Sequence, residues 1–377
     1  VPTPVFVRKP ALPALSGLRT ILAVNVMFFH FTPPHPDFLS PVIDNAYVFV
    51  GFFFLISGFV LAYNYADRPT LSKRAFYVAR FSRIYPVYLL VLALSFPFVA
   101  IEFQAHSRAD FFTGLVLTPL MLQSWSPTIA TFWNTVAWTV PAELFLYVLF
   151  PYLLRGIDTL NRRYRLFASP ARIMVTIAIL WAIGILPHTF YLLLNPDHLA
   201  EPATRYTYGF WLRTLKYSPA AYFCTFTAGV LVARLQSTLE LTPRRRAFLA
   251  TAAVVVLGLF FAFAVGRIPY VIVHGCLLLP IFATLILGLA GANPVSAVFA
   301  WRPIVFFGET TFALYLLHFN AILLLQNYKV TERLHLQQYD PWISFAFVMV
   351  LAILISRFWE KPARKTVMRW LLPLTQA

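Results

Sequence analysis

An all-α fold is what this sequence predicts: a polytopic transmembrane helix bundle of about 10 spans, both termini cytoplasmic, with one short re-entrant or interfacial helix besides. Three observations predict it. Of the 377 residues, 60% are hydrophobic and only 12% charged, a balance that a globule of this size could not present to water. The apolar residues gather into runs of roughly 20, the length that crosses a hydrocarbon core. The basic residues fall in the short gaps between runs, as topology signals do, so the net charge of +16 reads as membrane orientation and not as a nucleic-acid surface.

The runs lie near residues 15–32, 44–66, 84–103, 137–155, 171–190, 218–236, 246–265, 269–290, 303–326 and 341–358. Phe111 to Leu122 is too short to cross and suits a re-entrant or interfacial helix. Gly266, Arg267 and Ile268 leave so little chain between the seventh and eighth runs that these form an antiparallel hairpin. Pro86 and Pro141 are expected in the first turns of the third and fourth spans, where a missing N–H is harmless. No repeat or low-complexity tract interrupts the series, so residues 1–377 read as a single membrane domain. Arg8 and Lys9 precede the first run without a small-residue cleavage site, which favours a retained anchor over a cleaved leader.

Ten alternating spans divide the 30 Lys and Arg residues unequally. One side takes 23, including the groups Arg68 to Arg83, Arg155 to Arg172, Arg234 to Arg246 and Arg357 to Arg369. The other keeps 7: Arg108, Arg205, Arg213, Lys216, Arg267, Lys329 and Arg333. The positive-inside rule puts the richer side, and both termini, in the cytoplasm.

Depth follows from the helical rise of 1.5 Å per residue. His30, Glu143 and His318, from three different spans, then share one level in the outer part of the bilayer. Ionisable groups inside a membrane are costly and usually face a cavity or one another. Arg19 and His30, eleven residues apart, lie on nearly the same helix face about 16 Å apart along the axis. A ligand with an anionic end at Arg19 and a reacting end at His30 would fit that spacing; the plainer alternative is that Arg19 snorkels to the interface. A proton-coupled secondary transporter using His30, Glu143 and His318 as a relay is a second function class, disfavoured by the lack of an inverted repeat.

The segments LSGLRTILAVNVMFFH, VGFFFLISGFVL (50–61), RFSRIYPVYLL (80–90), AWTVPAELFLYVLFP (137–151), FGETTFALYLLHFNAILLL (307–325) and RFWEKPARK (357–365) resemble, in order, the motifs of the acyltransferase 3 family of membrane proteins that O-acylate bacterial carbohydrates. The resemblance implies an enzyme of the bacterial inner membrane. It would move an acyl group, commonly acetyl, from acyl-CoA as co-substrate to a hydroxyl of a carbohydrate or glycolipid. It also implies roles: His30 as general base, Glu143 orienting it or stabilising its imidazolium, and His318 donating to the thioester oxygen or binding substrate. Arg19, Arg80 and Arg83 would hold the phosphates of the donor, forked donors being suited to that task. Ser57 and Gly58 allow close approach, either of another helix or of the donor's arm. Two departures stand out. Gly51 occupies a position where many relatives carry a polar side chain, for which Asp44 or Asn45 is the candidate stand-in. No hydrolase-like domain of the kind some relatives append follows Glu360, Lys361 and Pro362.

The aromatic residues Tyr191, Tyr206, Tyr208, Phe210 and Trp211, in the long connection from Pro187 to Pro219, could stack on sugars or simply mark the membrane interface. Cys224 and Cys276 lie in apolar runs as small buried hydrophobes. His35, His106, His188, His198, His274 and His335 show no ligand spacing, so no metal is expected.

Overall fold

The computed structural model describes residues 9–66 and 71–372, and among them every regular element is helical. Two residues of the basic clusters, Arg8 and Arg68, lie outside the described residues.

The first helix, α1, runs Pro13–His30, with proline in its first turn and His30 closing its last. α2, Val48–Tyr65, is the axis of the bundle: 61% of its apolar stretch is buried inside the protein. α3, Lys73–Leu94, is capped by Ser72, whose side chain accepts from Ala75 N at 3.3 Å. It therefore begins well before the apolar run at 84. Pro86 stands inside it and not in its first turn, correcting the expectation from hydropathy. α4, Arg108–Leu117, is the short helix foreseen in the Phe111 to Leu122 run, and it falls outside the helices long and apolar enough to cross.

α5, Thr139–Tyr164, carries Pro141 in its first turn as expected and ends with Arg165 in the left-handed region at φ 53°. α6, Pro170–Leu194, is capped by Ser169 and has only 17% of its stretch buried, so it lies at the rim of the bundle. α7, Phe210–Tyr217, is a short helix in the long connection; α8, Phe223–Thr238, then packs along α2. Two glycines allow this contact. A Cβ on Gly58 would sit 2.1 Å from Phe226 O, and one on Gly229 2.1 Å from Leu55 O, so the two backbones touch where any other residue would hold them apart.

α9, Pro243–Leu259, and α10, Leu279–Leu289, form the predicted hairpin. The ninth run is not one straight helix. α11, Arg302–Gly308, and α12, Thr311–Asn327, meet at 73° across Glu309 and Thr310. α13, Trp342–Ile355, continues through a wider turn at Ser356–Glu360 into α14, Lys361–Leu371, which lies on α3.

Among the described residues, seven helical segments are long and apolar enough to cross a membrane, or eight if the bent pair counts as one span. The first and sixth expected spans, near 15–32 and 218–236, are present as α1 and α8 but are shorter than 20 residues and stand outside that set.

Candidate active site

A cavity of about 120 Å³ opens between α1, α2, α3, α5 and α12. It is far larger than the roughly 10–15 Å³ that admits one water, so a slender chain can enter it. Its polar wall consists of Arg19, Ser57, Arg80, Arg83, Glu143 and Tyr147. Helical spacing explains the grouping: Arg80 and Arg83 are i, i+3 on α3, and Glu143 and Tyr147 are i, i+4 on α5. The Tyr147 hydroxyl donates to the Glu143 carboxylate and accepts from Ser57 Oγ at 3.3 Å. Arg80 donates to Tyr65 Oη at a long 3.5 Å while its Nε is buried and unpaired. Among the described residues, Arg19 and Arg83 have neither a hydrogen-bonded nor an ion-paired partner. Three guanidinium groups thus line the cavity with one carboxylate, which already has a donor; the Glu360 carboxylate is near Arg83 but is shared with Arg364 and Lys361. Cations withheld from water are costly without an anion, so the cavity is built to receive one.

The far end of α1 carries a second polar group. His30 Nδ1 lies 2.9 Å from Val26 O and 3.1 Å from His318 Nε2; His318 Nδ1 lies 2.7 Å from Tyr315 O. Carbonyl oxygens only accept, so both rings are protonated at Nδ1. His30 then shares its Nδ1–H between Val26 O and His318 Nε2, which leaves its own Nε2 lone pair free. That atom is a base with its ring already oriented.

His318 is fully buried because α12 is clamped from the side. Asn134 Nδ2 donates to Leu316 O at 2.9 Å, and Asn320 Nδ2 to Trp133 O at 3.0 Å. Thr311, Tyr315 and His318 follow one another at spacings of four and three along one face of α12, linking the cavity to the histidine pair. The Tyr315 ring stands between the two, 5.8 Å from the His318 ring and 6.3 Å from that of Phe53.

Seven of the eight site residues expected from sequence fall in these two groups: Arg19, Arg80, Arg83, Ser57 and Glu143 in the cavity wall and His30 and His318 in the pair. Gly58 does not belong to them, since its open side is filled by the backbone of α8. Two pairings also change. His318, not Glu143, contacts His30, and Glu143 bonds Tyr147 instead. The cavity wall includes neither His30 nor His318, so the passage from the arginines to the pair is interrupted at Tyr315. Beside Gly51 lie Cys276 and Thr225, whose Sγ and Oγ1 are 2.8 Å apart. Asp44 accepts from Arg205 at its backbone carbonyl, and the Asn45 side chain donates to Pro41 O. Tyr147 and Tyr315 were not singled out by sequence. Their spacing from Glu143 and His318, four and three residues, is the signal that could have found them.

Comparison with known proteins decides the family. An acyltransferase domain model matches residues 12–357, nearly the whole chain. The chain belongs to the acyltransferase 3 family. It is an acyltransferase, and its apolar helices make it a multi-pass membrane one. It is similar to the acyltransferase MdmB of Streptomyces mycarofaciens, at 25% identity over 330 residues, covering 84% of this chain and 80% of the relative. It is also similar to a provisionally named O-acetyltransferase of Staphylococcus aureus strain COL, at 21% identity over 381 residues, 94% of this chain but only 57% of that protein's length. A protein of the picA locus in Rhizobium radiobacter shares 36% identity over 83 residues, 21% of this chain and 41% of its own. No solved structure matches the chain.

Proposed function

We propose that this acyltransferase moves an acyl group, acetyl in the simplest case, from acyl-CoA to a carbohydrate hydroxyl, with His30 Nε2 as the base. The observation that carries this reading is the excess of guanidinium over carboxylate in the cavity: Arg19, Arg80 and Arg83 against Glu143 alone. Coenzyme A brings phosphates to such a site and a long flexible arm with the thioester at its tip. Arg19, in the second turn, and His30, at the C-terminus, stand on one continuous helix about 16 Å apart by the helical rise, a span such an arm can bridge. The positive-inside reading places the arginines toward the cytoplasm, where acyl-CoA is made.

In the reaction, the acceptor hydroxyl gives its proton to His30 Nε2 as its oxygen attacks the thioester carbon. The C–S bond breaks, and the departing thiolate takes the proton back from the imidazolium. His318 Nε2, accepting from His30 Nδ1–H, holds the ring and stabilises its cationic form, the part that a carboxylate plays in other histidine sites. The arm must pass Tyr315 to arrive, so that ring would turn aside in the donor complex.

The test is direct. Purified protein in lipid vesicles, given labelled acetyl-CoA and a panel of glycans, should transfer label to glycan, and Glu143→Gln should lower turnover while donor affinity stays. Failure to bind coenzyme A together with failure to label any glycan would defeat the reading.

A further inference from the structure

Two cations at the His30 end of the bundle have no part in donor binding. Arg205, in the turn between α6 and α7, places its guanidinium over the Phe29 ring at 4.6 Å and over the Tyr206 ring at 4.7 Å. Phe29 in turn meets the His30 ring edge to face, with centroids 5.1 Å apart. A single aromatic ring therefore separates Arg205 from the base. Its hydrogen-bond partners are few for a fork of five donors: Asp44 O at 3.4 Å, and the hydroxyl of its neighbour Tyr206. Lys216 lies behind it, only 7% exposed, donating to Arg205 O at 3.3 Å with the Tyr217 and Tyr270 rings each 5.4 Å away.

No carboxylate among the described residues pairs with either cation. Asp44 meets Arg205 through its backbone carbonyl, and the Asp197 carboxylate is engaged at the start of α7, accepting from Trp211 N and Leu212 N, and from Tyr191 Oη. Burial, and then neighbouring Arg213, push the Lys216 ammonium down to about 8, so its charge is held at a cost that a nearby anion would relieve.

We infer that Arg205, backed by Lys216, is an acceptor subsite for an anionic group carried by the sugar, so that the hydroxyl acylated at His30 belongs to an acidic glycan or glycolipid. The inference rests on the placement of acyl transfer at His30. The anion is a carboxylate or a phosphate on the acceptor, bound by the fork of Arg205 beside the base, with the Tyr206 ring available to the sugar face.

The experiment uses the full chain in phosphatidylcholine vesicles, which carry no net lipid charge, with acetyl-CoA and three acceptors: methyl glucoside, methyl glucuronide and glucose 6-phosphate. At least one acidic acceptor is expected to exceed the glucoside tenfold or more in kcat/KM, and the better of the two assigns carboxylate or phosphate. Arg205→Gln should erase that preference, chiefly by raising the acceptor KM; Arg205→Lys, which keeps the charge but not the fork, should retain part of it. Thermal unfolding of both variants guards against a folding loss. A glucoside used as well as the acids overturns the inference, as does a preference that survives both Arg205→Gln and Lys216→Gln. Calorimetric titration with coenzyme A keeps the two readings apart. Donor binding without transfer to any of the three acceptors overturns the acceptor inference, whereas loss of donor binding as well defeats the function from which it starts.

Discussion

Arg213 and Arg80 are both set among aromatic rings, yet their donors fare differently. Arg213 has Tyr208 at 4.5 Å and Tyr217 at 5.5 Å, and its fork makes three hydrogen bonds: Nε donates to Pro127 O, and Nη2 to Thr128 O at 3.4 Å and Thr131 Oγ1 at 3.2 Å. Arg80 has the Tyr65, Phe76 and Tyr147 rings each at 5.9 Å, one long hydrogen bond and an unpaired Nε. Both side chains are positive and shielded from solvent, so charge alone does not separate them. Partner accounting does. A guanidinium bonded at Nε and Nη2 ties α7 to the 127–131 segment and is part of the scaffold; one whose Nε is unpaired waits for a ligand.

The largest effect expected belongs to neither arginine. His30→Ala removes the only free imidazole lone pair of the pair and should cut turnover by about 10²–10⁴, the usual worth of a positioned base, with coenzyme A affinity kept. His318→Ala leaves the base in place without its orienting partner and should cost less; an equal loss would make the two histidines one unit. A residual rate within threefold of wild type in His30→Ala would move the chemistry elsewhere.

Next come the two arginines themselves, and here the comparison can be broken. Arg213→Ala should destabilise the protein by about 2–4 kcal/mol, because three acceptors lose their donor, while the donor KM stays put. Arg80→Ala and Arg83→Ala should do the reverse: each raises the KM for acetyl-CoA by roughly tenfold or more, the worth of a hydrogen bond to a charged group, with the melting temperature hardly moved. A double dissociation is required. If Arg80→Ala melts early and keeps its donor KM, its loose geometry has been misread and it is a scaffold residue after all.

These contrasts also explain what could be read from sequence. Uninterrupted apolar runs gave α6 and α9 with boundaries close to those found, since hydropathy reports lipid contact directly. The inner half of α3 was missed because Lys73, Arg74, Arg80 and Arg83 break its run, although Ser72 caps a helix there. The 73° bend between α11 and α12 was invisible, because hydropathy measures depth along a chain and not direction. The same limit governs the site. Depth groups His30, Glu143 and His318 but says nothing of azimuth, so it does not reveal that His318 is the residue bonded to His30. Spacing from Thr311 through Tyr315 to His318 holds that azimuth, but only once α12 is known to begin at Thr311.

Lys216 gives the smallest and most selective test, because its state depends on pH in a direction the scaffold arginine cannot follow. Its ammonium titrates near 8 in the folded protein and near 10.5 when free, so the folded state carries the charge at a penalty that is full below about pH 8. The penalty fades as pH rises toward the free value, where both states are neutral. Lys216→Met keeps the length and removes the charge. It should therefore raise stability at pH 7 by on the order of 1 kcal/mol, the relieved penalty less the lost bond to Arg205 O, and the gain should vanish by pH 10.5. Denaturation across that range reads it out. A variant less stable than wild type at pH 7 would mean that Lys216, like Arg213, is held by partners enough to make its charge an asset to the fold, and the contrast between bonded and waiting cations would then stop at the cavity.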